Sequence, residues 1–140
     1  MELKHISVSN ADGNIYKLRL TLAGQKALKK AHKQDALDVL MAAITDGEVM
    51  ADVLQQASHY AGADVAAGVT GETIYNELVD SGYHGQLPWA KLAIELAECS
   101  GLIDADQAAK LLKRFDRALA GMLDSLDDEE TPQSSPEASV

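Results

Sequence analysis

Ile15-Tyr16-Lys17-Leu18-Arg19-Leu20-Thr21 decides how the rest of this chain is read. Tyr16, Leu18 and Leu20 fall on one face and Lys17 and Arg19 on the other, the period of two expected of a half-buried strand. Upstream, Ile6 and Val8 alternate in the same way. Between the two runs lies Asn10-Ala11-Asp12-Gly13-Asn14, whose Asp-Gly pair suits the positive φ angles of a hairpin turn. No strand pattern follows Thr21. A lone hairpin is marginal in water, so it must pack on helices or pair with another chain. The sequence therefore predicts a mainly α protein: an N-terminal β-hairpin, about six helices, and a disordered acidic tail.

The helices are read from apolar spacing and caps. Thr21 is an N-cap for a helix through about Lys33. Asp35 caps the next, where Leu37, Leu40, Met41 and Ile44 match the i, i+3, i+4, i+7 template. Thr45-Asp46-Gly47 ends it, and Met50, Val53, Leu54 and Ala57 repeat the template from about Glu48 to Tyr60. The two stripes can face each other as an antiparallel pair. Ala61 to Thr70 has no clear period and reads as a loop. Thr70 caps a short helix with Ile74 and Leu78 inward, joined by Tyr75 and Val79. Ser81-Gly82-Tyr83-His84-Gly85 breaks it. Pro88 suits the first turn of a helix carrying Trp89, Leu92, Ala93 and Leu96, which Ser100-Gly101 stops.

Asp104 and Gln107 have the spacing of a capping box. The helix they open is the longest, running to about Asp127. Ala108, Leu112, Phe115, Leu119, Met122 and Leu126 recur along it at heptad-like steps, with Leu111, Ala118 and Leu123 widening the stripe. Such a helix covers the core of its own domain, or docks onto a partner or a second copy. After Asp127 the chain is charged, rich in Pro and Ser and without apolar periodicity, which predicts disorder. The expected organisation is one domain over residues 1–126 and a tail over 127–140.

The 140 residues carry a formal net charge of −10, unevenly spread. Residues 1–33 hold seven basic and two acidic groups; residues 34–90 hold nine acids and no Lys or Arg. Residues 124–140 hold six acids and no base. An acidic chain lacks the broad positive field that releases phosphate counterions, which argues against nucleic acid as the partner. The one basic block, Lys26, Lys29, Lys30 and Lys33, reads first as a solvated helix face and second as a contact for an acidic partner. A single cysteine, Cys99, excludes an internal disulfide and fits a reducing cytosol. No secretory leader and no membrane-length apolar run is legible.

Chemistry is hard to find. His5, His32, His59 and His84 are dispersed, with no metal-ligand spacing to one another or to Cys99. Cys99 reads as a small buried hydrophobe. Gly62, Gly68 and Gly71 match neither a P-loop nor a dinucleotide fingerprint. The expectation is a binding protein, not an enzyme, with no cofactor. Its candidate contact residues are Leu111, Leu112, Phe115, Leu119 and Met122 on the final helix, and Lys26, Lys29, Lys30 and Lys33.

Ile15 to Thr21, Leu28-Lys29-Lys30 and Ala36-Leu37-Asp38-Val39-Leu40, followed by Ile74 to Gly82 and Ile94 to Ile103, together resemble the tail assembly chaperones of long-tailed phages and prophages of Gram-positive hosts. The resemblance covers roughly residues 13–104, in order and at similar spacing. Gln55 to Tyr60, the Ala/Gly-rich loop and the segment from Leu28 to His32 depart from the family pattern, so partner contacts are not carried over there. The resemblance implies a chaperone that coats the aggregation-prone tape measure protein in the host cytoplasm and is absent from the finished particle. It also implies that a frameshifted longer form would recruit the tail tube protein. The rival readings are a small regulatory or antitoxin-like adaptor and, further off, a nucleic-acid-binding regulator.

Overall fold

A computed structural model describes residues 4–60, 63 and 65–134; at 119 and 122–134 it describes the backbone alone. The chain opens with β1 (Ile6–Ser9) and β2 (Ile15–Leu18), antiparallel, with Ile6 opposite Leu18 and Val8 opposite Tyr16. Asn10 organises the turn. Its backbone N–H donates to Asn14 O, and its side-chain oxygen accepts from the N–H groups of Asp12 and Asn14. The alternation works as its period predicts: Leu18 and Leu20 are buried and Tyr16 is half-buried, while Ile15 on the opposite face is 66% exposed. The strand stops at Leu18, short of the expected Thr21. The next two backbone N–H groups are claimed by tertiary partners, Arg19 by Ala57 O at 3.0 Å and Leu20 by Ser100 Oγ at 2.8 Å. The hairpin is thereby tied to the ends of two helices, which supplies the packing that a lone hairpin lacks.

Six helices follow: α1 (Leu22–His32), α2 (Ala36–Ala43), α3 (Gly47–Ser58), α4 (Gly71–Asp80), α5 (Gln86–Cys99) and α6 (Ala105–Ser134). Their starts follow local chemistry. The side chains of Thr21, Asp46 and Thr70 each accept from backbone N–H groups of the first turn they cap. Asp104 and Gln107 close a reciprocal capping box, with bonds of 2.8 and 3.0 Å.

The core is built mostly from alanine and leucine. Met50, Val53, Leu54 and Ala57 of α3 are fully buried, as their spacing predicts, and so are Ile74 and Leu78 of α4. Each large side chain so buried contributes roughly 1.5–3 kcal/mol relative to exposure. α3 packs on α2 and on α4, and α5 packs on α2 and α6. Gly71 makes the α3–α4 approach possible. A Cβ there would lie 2.0 Å from Ala51 O and 2.5 Å from Gln55 N, while its own N–H donates to Gln55 Oε1 at 2.8 Å.

Three expectations are corrected. On α2 the buried set is Ala36, Val39, Leu40 and Ala43, with Leu37 and Met41 only half-buried. This helix meets α1, α3 and α5, so its buried face is wider than one stripe and turned towards Val39. On α5 the expected stripe of Trp89, Leu92, Ala93 and Leu96 is buried, but the buried face is wider than that stripe: between Trp89 and Cys99 only Lys91 and Glu95 are exposed, because this helix runs through the centre. α6 continues to Ser134, past the expected end near Asp127. Asp127-Asp128-Glu129-Glu130 contains no helix breaker, and Pro132 falls in the last turn. The expectation of a disordered tail concerns residues whose side chains lie outside those described and, at 135–140, residues outside the described chain altogether. Among the described residues no helix is long and apolar enough to cross a membrane.

Candidate functional site

On α1, Lys26, Lys29, Lys30 and Lys33 are all exposed. The structure brings only the first two together over a hollow. Lys26 and Lys29 line a groove of about 400 Å³ with Leu22, Ala36, Leu37 and Leu102. Leu22 is 65% exposed there, and Lys29 stands 3.8 Å from Asp35, a fully solvated pair of little energetic weight. Lys30 lies outside that groove. Lys33 ends α1 in the left-handed conformation, its N–H donating to Lys29 O.

On α6, Ala108 is buried and Leu111, Leu112 and Phe115 are half-buried; Phe115 packs against the core. From Asp116 to Gly121 every described side chain is exposed, so among the described side chains only those of the first turns of α6 cover the domain. Leu119 and Met122 lie beyond the side chains described.

Sequence reasoning missed the most distinctive concave surface. Where the α2–α3 turn meets the α4–α5 turn, a groove of about 460 Å³ is lined by Ile44, Gly47, Tyr75, Val79, Tyr83 and Trp89. Tyr75 stacks on Trp89 with centroids 4.8 Å apart and planes 7° from parallel; Tyr83 packs against the same indole at 5.0 Å and 58°. Such offset aromatic pairs contribute about 0.5–1.5 kcal/mol beyond area burial, so the floor of the groove is pre-formed and stiff. The end of α4 aims Tyr83. Tyr83 N–H donates to Leu78 O and Gly82 N–H to Val79 O, with Gly82 at φ 116°, a conformation that favours glycine. Gly47 leaves room for the Tyr75 hydroxyl, which lies 2.7 Å from where a Cβ would stand. Burial, then the charge of Glu95, pushes the Tyr83 phenol upward, keeping it neutral. The available signal was compositional: three of the six aromatic residues fall between positions 75 and 89.

Two other sites are structural in geometry. Glu77 accepts from the Tyr16 hydroxyl at 2.6 Å and from the Asn10 side-chain amide, joining the hairpin to α4. Burial first, then the bond to Glu77 and its charge, pushes Tyr16 up to about 12. Cys99 is buried beside Leu18 O and Leu96 O, and burial pushes its thiol up, away from the reactive thiolate. His32 pairs with Asp52 at 3.0 Å on the surface. Comparison of the chain with models of known protein families, with curated proteins and with solved structures finds no match.

Proposed function

We propose that this chain is a non-enzymatic assembly chaperone for a phage tail tape measure protein, acting in the host cytoplasm and leaving before the tail is complete. The observation that carries this reading is the aromatic groove. Two of its walls, Tyr75 and Val79, come from Ile74 to Gly82, one of the stretches that resemble the tail assembly chaperones. A stiff apolar groove between helices suits an amphipathic partner helix laid in by its apolar face. Around it, residues 34–90 carry nine acids and no Lys or Arg, a surface that repels other acidic proteins and keeps a complex soluble. A frameshifted longer form would reach the tail tube protein by the same family logic.

The test is co-expression. Tape measure protein made alone should be largely insoluble, because its apolar helical stripes have nothing to cover them before the tube exists. With this chain it should stay soluble in a complex that purifies intact. Apolar burial implies that moderate salt weakens the complex only slightly, whereas Val79→Lys, placing a charge on the groove wall, should lower recovery without unfolding the protein. Tape measure protein left in the pellet, with no complex recovered, would defeat the assignment.

A further inference from the structure

We propose that two copies of this chain pair antiparallel through the polar face of α6, crossing at Ala120 and Gly121. This inference is independent of the chaperone reading. Lys110, Lys113, Arg114 and Arg117 line one continuous basic surface on α6, all exposed, at the i, i+3, i+4, i+7 spacing of a single helix face. The same face continues through position 121 to positions 124 and 128, with 127 at its edge, and there the sequence reads Asp124, Asp127 and Asp128.

Within one helix this order is unfavourable. Like charges three and four residues apart repel, and each half of the face is such a set. Of the four cations, Lys110 has Asp106 at 3.2 Å and Lys113 has Asp116 three residues on, while no acid stands three or four residues from Arg114 or Arg117. Residues 121–134 carry five acids and no base, and acids near a helix C-terminus oppose its dipole. A second α6 laid antiparallel reverses both signs. Lys113 then stands opposite Asp127 of the other copy, Arg114 opposite Asp128 and Arg117 opposite Asp124, and the two-fold axis repeats each pair. A parallel arrangement would instead set basic against basic.

The crossing point is suited to close approach. Ala120 and Gly121 are exposed, and Gly121 carries no side chain to hold a neighbouring helix away. The helix of 30 residues spans about 45 Å, long enough for both halves of the face to engage at once. The interface is self-complementary, so it closes at two copies and does not propagate. The apolar stripe of α6 lies on the other side of the helix, where Ala108 is buried and Leu111, Leu112 and Phe115 are half-buried.

Sedimentation equilibrium of the full chain tests this at about 0.01 M and about 1 M salt, between which the Debye length falls from ~30 Å to ~3 Å. The expected result is a dimer at low salt that dissociates at high salt. The double variant Arg114→Glu, Arg117→Glu should raise the dimer dissociation constant at least ~tenfold, since four opposed pairs become repulsive. Asp124→Arg with Asp128→Arg should do the same, and mixing the two variants should restore a dimer, since each new Glu then meets a new Arg. Circular dichroism checks that each variant keeps its helix content. A wild-type monomer at low salt overturns the proposal and leaves the basic face to another acidic partner. Variants that dimerise like the wild type, or a mixture that stays monomeric, overturn it equally.

Discussion

Gly71 and Tyr16 hold elements together through single atoms. At Gly71 the start of α4 presses on the backbone of α3, and backbone cannot move aside as a flexible side chain can. Gly71→Ala should therefore destabilise the fold by about 1–3 kcal/mol or more, the cost of overpacking, read as a lowered urea midpoint with an unchanged slope. Tyr16 gives a pH signature. An unfolded tyrosine titrates near 10, whereas the folded state holds the Tyr16 proton to about 12. Its contribution is complete below the unfolded value and is lost as pH rises from about 10 towards about 12. Urea midpoints measured across that window should fall for the wild type and fall less steeply for Tyr16→Phe. Tyr16 was legible as an inward strand residue, but its bond to Glu77 was not, because the two are 61 residues apart in sequence.

At the scale of elements, the caps and stripes were the readable part. The Asp104–Gln107 box forms as its spacing implies because a cap is satisfied within a single turn. The stripes of α3 and α4 are buried as read because each presents one face to its neighbours. α2 and α5 differ, since a helix flanked by several others buries residues that no single stripe includes. On α6 the described apolar side chains lose cover along the helix: Ala108 is buried, Leu111, Leu112 and Phe115 are half-buried, and Ala118 is exposed. Phe115 is half-buried, so Phe115→Ala should cost about 1–3 kcal/mol, below the ~3–5 kcal/mol of a fully buried aromatic. Chemical denaturation measures this directly. A cost at the fully buried level would show that the ring is an anchor of the core.

For the whole molecule, the charge is unevenly distributed along the chain. The basic first 33 residues, the acidic middle and the divided α6 give surfaces of different sign on a single body. The aromatic groove lies in the acidic part, and the Lys26–Lys29 groove on the basic side. Because Asp116, Arg117, Ala118, Ala120 and Gly121 are all exposed, a chain ending at Asp127 should keep its thermal midpoint at high salt, where pairing through α6 is switched off. Differential scanning calorimetry decides the point, and a large drop would place the distal segment against the domain.

The amino-acid order alone determined the hairpin, the six helices with the caps at Thr21, Thr70 and Asp104, and the faces of α3 and α4. These depend on contacts within a few residues and on periods of 2 and 3.6, which are written directly in the chain. Tertiary structure alone decided where the strand ends, which residues of α2 and α5 are buried, and that Tyr75, Tyr83 and Trp89 meet in one groove. Each of these depends on groups far apart in sequence competing for the same space or the same hydrogen bond, and no local pattern records which of them prevails.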